Sequence, residues 1–109
     1  MAYRTIKGVV DHMNVIYNMN FKPGESKKNY YVGITGDDEN QEATLRRHKI
    51  GSFLAIVECE TADIAAQAET ELGDEGFDIG NPPHEGNGGN EDSKFVYIFK
   101  KTANTDPSL

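Results

Sequence analysis

The chain has 109 residues, 37% hydrophobic residues and a formal net charge of −7 at pH 7, which argues against tight, non-specific binding of nucleic acid. This length fits one domain with a two-layer core. The single cysteine, Cys59, excludes an internal disulfide and a cysteine-rich zinc site, and we expect a packed, inert thiol. The N-terminal segment lacks a long apolar stretch, so we expect a soluble, intracellular protein without a membrane span.

The first third of the chain predicts strands joined by a turn. Residues 3–10 have a composition typical of a first strand or an extended arm. Residues 13–21 alternate around four apolar side chains, which are Val15, Tyr17, Met19 and Phe21. Proline followed by glycine in residues 22–29 is typical of a hairpin loop. Residues 29–35, rich in aromatic and β-branched side chains, are then predicted to pair antiparallel with the strand before the loop.

The remaining residues predict helices that alternate with strands. A helix is expected over residues 40–49 and a strand over 52–60. Thr61 is a suitable N-cap for a second helix that reaches about Gly73. A polar loop at 74–93 precedes a last strand at 94–100. The predicted fold is a small α+β domain over residues 1–101, with a mixed or antiparallel sheet and helices packed on it. Residues 102–109 are predicted to be a disordered tail.

The strand that precedes a basic helix is the most informative feature. Tyr31 belongs to the run Tyr-Tyr-Val-Gly-Ile-Thr, in which Gly33 lets backbone or ligand approach closely. The cationic cluster Arg46, Arg47 and His48 follows within one helix length. A phenol can pass a proton, and a guanidinium group can neutralise a phosphoryl oxygen. The pattern therefore favours a site that handles phosphate.

Several short motifs occur in a consistent order. Residues 15–17 read Val-Ile-Tyr and residues 31–33 read Tyr-Val-Gly; the polar residues that follow them are Arg46, Arg47, His48, Glu69 and Asn81. This order resembles the GIY-YIG nuclease superfamily, whose core is a β-hairpin, a helix, a third strand and a further helix. Two departures are that Val15 replaces the first glycine of the family, and that Thr44 stands one turn before the histidine, where the family commonly has arginine.

The resemblance implies hydrolysis of DNA phosphodiester bonds with one divalent metal ion. A tyrosine would relay a proton to or from the attacking water, and an arginine would stabilise the charge that develops on phosphorus. Glu69 would anchor Mg²⁺ or Mn²⁺, while Gly33 and Asn81 would contact the substrate. The catalytic residues that the resemblance implies are Tyr17, Tyr31, Arg46, Arg47 and His48.

Two other interpretations fit the same sequence. The chain could be a catalytically silent relative that binds a protein partner through its acidic surface, because the charge and Thr44 suit hydrolysis poorly. It could also be an ordinary α+β domain whose likeness to the family is coincidental. In that case the tyrosines are sheet aromatics and the helix cations are solvated. Tyr17 and Tyr31 on opposite faces of the sheet would favour this last interpretation.

Overall fold

The computed structural model describes residues 2–36, 38–79 and 94–102, with no side chains described at 38–40. In these ranges, three α-helices alternate with three strands, beginning with an N-terminal helix. The elements are α1 (Ile6–Asn20), β1 (Tyr30–Thr35), α2 (Asp38–His48), β2 (Ala55–Glu58), α3 (Ala62–Asp74) and β3 (Phe95–Lys100), with one 3-10 turn at Lys27–Asn29 before β1. The predicted small α+β fold, with helices packed on the sheet, is confirmed.

The last strand of the chain lies at the centre of the sheet. The strand order is β1-β3-β2, and β3 pairs antiparallel with both neighbours. Tyr97 on β3 lies directly between Gly33 on β1 and Ile56 on β2. Residues from the middle and from the end of the chain therefore share the centre of the sheet.

Alternating side chains divide the sheet into two faces. On one face, Val32 and Ile98 join the main core, which α1 and α3 cover with Met13, Ala68 and other apolar side chains. The opposite face carries a smaller group of buried rings, which we call the aromatic cluster: Tyr31, Tyr97 and Phe99. The two groups are separated by the sheet itself, so a ring on one face does not reach the other.

The predicted strand over residues 13–21 is wrong, because these residues continue α1 to Asn20. Thr5 caps the helix, and its hydroxyl accepts a hydrogen bond from the backbone N–H of Gly8 at 3.0 Å. The helix buries Val9, Val10 and Met13 against the sheet. That spacing follows the helical period of 3.6 residues, which here prevails over the alternation read from the sequence.

The strand or extended arm predicted over residues 3–10 is also wrong from Ile6 onward, where α1 begins. The hairpin predicted between residues 13–21 and 29–35 is wrong as well, because β1 pairs antiparallel with β3. The later predicted elements differ from the structure at their ends. The second predicted helix is α3, which begins after its Thr61 cap as expected. The backbone N–H of Ile64 donates a hydrogen bond to the Thr61 hydroxyl in its first turn. Residues 80–93 of the predicted loop and 103–109 of the predicted tail lie outside the described residues. No helix in the described part of the chain is long and apolar enough to span a membrane.

Candidate functional site

A histidine from α2 is inserted into the aromatic cluster. His48 is the last residue of α2 and is fully buried. Its Nε2 atom shares a hydrogen bond of 2.7 Å with the hydroxyl of Tyr97. Its ring centroid lies 5.1 Å from that of Tyr31 and 5.1 Å from that of Phe99. An imidazole and two phenols therefore meet on the face of the sheet opposite the main core.

Two local features fix the end of α2 against the sheet. Lys49 adopts the left-handed conformation, with φ at 59°, and ends the helix. The backbone N–H of Ile50 then donates to the carbonyl of Leu45 at 3.0 Å, as in a Schellman C-cap. One turn earlier, the buried hydroxyls of Thr44 and Thr35 share a hydrogen bond of 2.9 Å. Thr44 thus joins α2 to β1.

Of the two candidate arginines, Arg47 faces the aromatic cluster and Arg46 is exposed. The positive charge of Arg47 lowers the pKa of both Tyr97 and Tyr31. Its Nε atom is buried and has no hydrogen-bond partner among the described residues. A buried donor without a partner is costly, so this N–H is available to an acceptor that enters the site.

Glu69 carries its carboxyl group on α3, the helix that packs against β1 and β3. Its neighbours Ala65, Ala68 and Leu72 are buried in the main core, and Glu69 itself is partly buried at the edge of that stripe. Burial raises the pKa of Glu69 to about 7, because desolvation disfavours the charged form. Within the described residues it forms no ion pair. A buried carboxylate without a counter-charge is a suitable place for a cation.

The two phenols are held in their neutral form. Burial, and after it the negative charge of Glu69, raises the pKa of Tyr31 well above its ordinary value. Burial is also the first cause of a raised pKa at Tyr97, with further contributions from Tyr31 and Glu69. Glu69 thus contributes to the raised pKa of both hydroxyls. Tyr31, Tyr97, Arg47, His48 and Glu69 form the candidate site.

The donor set bears on which metal ion could bind. In the part of the chain that the structure describes, no three His, Cys, Asp or Glu side chains are grouped as metal ligands. Zinc sites need three or four such ligands. Magnesium ions are commonly held by one or two carboxylates, with water and substrate phosphate as the other ligands. Glu69 alone therefore fits Mg²⁺ or Mn²⁺ with a phosphate substrate, and does not fit a protein-enclosed zinc ion.

The expectation that Tyr17 would lie on a strand facing Tyr31 is wrong. Tyr17 lies on α1, packed against Phe21, Tyr30 and Phe77 at ring-centroid distances of 5.0, 5.3 and 5.7 Å. It belongs with the main core, on the other face of the sheet from Tyr31. Tyrosines on opposite faces favour the interpretation of an ordinary α+β domain whose likeness to the family is coincidental, and residues 15–17 no longer support the resemblance.

The second tyrosine of the site is Tyr97, which the sequence reading did not single out. It lies in the run Phe-Val-Tyr-Ile-Phe, which has the same aromatic and β-branched character as the run around Tyr31. That likeness was a signal that could have identified it. Two residues were predicted to contact the substrate. Gly33 lies directly opposite Tyr97 in the sheet, next to the candidate site. Asn81 lies outside the described residues.

Comparison with known protein families, with curated proteins and with solved structures finds no match to this chain. The functional interpretation therefore depends on the site itself.

Proposed function

We propose that this chain is a divalent-metal-dependent nuclease that hydrolyses phosphodiester bonds in DNA. The observation that carries the proposal is the grouping of Tyr31 and Tyr97, whose ring centroids lie 6.3 Å apart, with charges from Arg47 and Glu69 that act on both phenols. Proton-passing hydroxyls, a guanidinium group and a carboxylate are groups that can promote hydrolysis of a phosphodiester. No nucleophilic side chain is needed, because water is the attacking group.

The geometry suggests a distinct role for each group. The unpaired Nε–H of Arg47 would donate to a non-bridging phosphate oxygen and stabilise the charge that develops there. Tyr97 and Tyr31, neutral at physiological pH, would pass a proton between the attacking water and the leaving oxygen. His48 is fully buried, so it would act on Tyr97 through their shared hydrogen bond and not on the substrate.

Glu69 would hold Mg²⁺ or Mn²⁺ against the phosphate. When bound, such an ion withdraws charge from the phosphate and favours attack by water. Its positive charge would also replace the proton that Glu69 otherwise keeps near neutral pH. The partly buried, unpaired state of this carboxyl group supports the assignment.

The sheet also suggests how the chain relates to the GIY-YIG superfamily. In the family, the two signature tyrosines lie on the strands of one hairpin. Here the strand that pairs antiparallel with β1 is β3, and it carries Tyr97. We infer a permuted relative, in which the first strand of the family core comes last along the chain. The α1 helix is then an addition before the permuted core.

One observation favours the alternative of a catalytically silent protein-binding module. Tyr97 and Tyr31 are only 2% and 3% exposed, and a nuclease needs its phenols to reach the substrate. In the silent alternative, the same polar cluster serves to stabilise the fold, and the acidic surface binds a basic partner protein. The two candidates differ in one measurable property, which is metal-dependent hydrolysis.

A nicking assay on supercoiled plasmid at low salt tests the proposal. We expect cleavage with Mg²⁺ or Mn²⁺ and none with a chelator. Glu69→Gln should reduce the rate by about 100-fold or more. Glu71→Gln is the matched control, because Glu71 is an exposed carboxylate on the same helix, and it should behave as wild type. Absence of metal-dependent cleavage of both DNA and RNA, or equal rates for the two variants, would contradict the proposal.

A further inference from the structure

Beside the aromatic cluster lies an apolar rim, formed by Ile50, Phe53 and Ile56. All three side chains are partly buried, so part of each faces solvent. The ring of Phe53 lies 4.6 Å from that of Tyr97, at an interplanar angle of 35°. The rim therefore continues the row of rings outward from a candidate catalytic phenol to the surface.

Among the described residues, the basic side chains at the end of α2 form no ion pair. Of the described basic side chains elsewhere, five pair with carboxylates, namely Arg4, Lys7, Lys27, Lys100 and Lys101, whereas Lys22, Lys28 and Lys94 do not. At the end of α2, Arg46, Arg47 and Lys49 form no ion pair among the described residues. Lys49 directly precedes Ile50 of the rim. Aromatic surface and unneutralised positive charge thus adjoin each other at one end of the site.

We propose that the substrate strand is single-stranded where it enters the site, with one base stacked on Phe53 and its phosphates beside the end of α2. This inference rests on the proposed function, because it assumes that the substrate is a nucleic acid. A duplex stacks its bases internally, so the rim would add nothing to duplex binding. Duplex affinity comes instead from many phosphate contacts, which three cations on a chain of net charge −7 supply poorly. A stacked base adds affinity that does not depend on charge.

The absence of tryptophan from the chain allows a direct test. In Phe53→Trp, the new side chain is the only indole, and a base stacked on it quenches its fluorescence. Leu54→Trp is the control, because Leu54 is the next residue, is 39% exposed and is not part of the rim. With a 12-nucleotide oligo(dT) in the presence of a chelator, we expect quenching in Phe53→Trp and not in Leu54→Trp. A 12-base-pair duplex should quench neither.

Affinity measurements complete the test. Phe53→Leu keeps an apolar side chain but removes the ring, and should weaken oligo(dT) binding by between about 5-fold and 100-fold. Phe53→Tyr should bind as wild type, and circular dichroism confirms that each variant is folded. Duplex that binds as tightly as single strand, or equal affinity of Phe53→Leu and wild type, overturns the inference. Because the chelator prevents hydrolysis, a failure of binding preference is distinguishable from a failure of metal-dependent cleavage.

Discussion

The phenol ring of Tyr97 lies over the Cα atom of Gly33, its directly paired partner across β1 and β3. A Cβ atom added to Gly33 would overlap the Tyr97 hydroxyl oxygen and would lie 2.5 Å from its Cζ atom. Side chains pack no closer than about 3 Å, so only glycine at position 33 leaves this ring its place. Gly33 is thus required by the packing of Tyr97 on the neighbouring strand, and not by a turn.

Gly33→Ala should therefore destabilise the protein, because the new methyl group displaces a ring buried on both sides. We expect a loss of about 1–3 kcal/mol in the free energy of unfolding, measured by urea denaturation. Gly51→Ala is the matched control, since nothing lies within 4 Å of a Cβ at Gly51. It should stay within about 1 kcal/mol of wild type. Equal stabilities of the two variants would show that Tyr97 does not occupy this space.

The hydrogen bond between His48 and Tyr97 should show strong energetic coupling, because both groups are buried. A double-mutant cycle with His48→Leu and Tyr97→Phe should give a coupling free energy of about 1–3 kcal/mol. The chain contains a second bond of the same kind for comparison. The Tyr3 hydroxyl and His12 Nδ1 are also 2.7 Å apart, but are only partly buried. Water can replace that bond, so its cycle should give a smaller value; the reverse ranking would contradict the structure.

The raised pKa of Glu69 predicts a specific dependence of stability on pH. Between the ordinary carboxyl value of 4.5 and the folded value of about 7, the folded chain keeps a proton that the unfolded chain has lost. The free energy of unfolding attributable to this group therefore falls as pH rises through this window and is constant above it. Glu69→Gln, which cannot ionise, should gain stability over wild type with rising pH, by on the order of 1–2 kcal/mol at pH 8.

The control for this experiment is Glu71→Gln, which removes an exposed carboxylate from the same helix. Millimolar Mg²⁺ at pH 8 provides a second readout. A cation bound to the folded state raises the melting temperature, so Mg²⁺ should stabilise wild type and not Glu69→Gln. A stability difference between Glu69→Gln and wild type that does not change with pH would argue against a desolvated Glu69.

The thiol of Cys59 should be unreactive in the folded protein. It is 1% exposed, and burial raises its pKa to about 11, so little thiolate is present at pH 8. A thiol reagent such as dithionitrobenzoate should label the native chain at least about 100-fold more slowly than the chain in urea. Rapid labelling without denaturant would show that this end of β2 opens readily.

The sequence predicted correctly those elements whose formation depends only on neighbouring residues. The Thr61 cap and the apolar stripe at Ala65, Ala68 and Leu72 identified α3, because both operate within one helix. The aromatic and β-branched run at β1 was equally clear, since its burial on both faces requires a continuous apolar sequence. The position of Cys59 on a packed strand end followed from the same reasoning.

The first helix was misread because two periods overlap in it. Val15 and Met19 suggested alternation, but they are 54% and 75% exposed. The residues that α1 buries are Val9, Val10 and Met13, whose spacing is helical. Because these exposed apolar side chains were taken to be buried, the segment was assigned the two-residue period of a strand. Tyr17 was therefore placed on a strand.

Tyr97 shows the limit of reasoning from sequence at this site. The strand that carries it was predicted, but its place between β1 and β2 depends on pairing across many residues, which no local pattern encodes. Arg47 and Arg46 could not be separated for a similar reason. Their difference arises from how the capped end of α2 meets the sheet, which involves Thr35 and Thr44.

We propose that Tyr97, and not Tyr17, completes the candidate site with Tyr31. The most direct measurement compares metal-dependent nicking by wild type, Tyr97→Phe and Tyr17→Phe, each confirmed as folded. Each change removes one hydroxyl from a packed ring. Tyr97→Phe should lower the rate by about 100-fold or more, and Tyr17→Phe should stay within about 2-fold of wild type. Loss of activity in Tyr17→Phe with an active Tyr97→Phe, or no cleavage by wild type, would contradict this assignment of Tyr97.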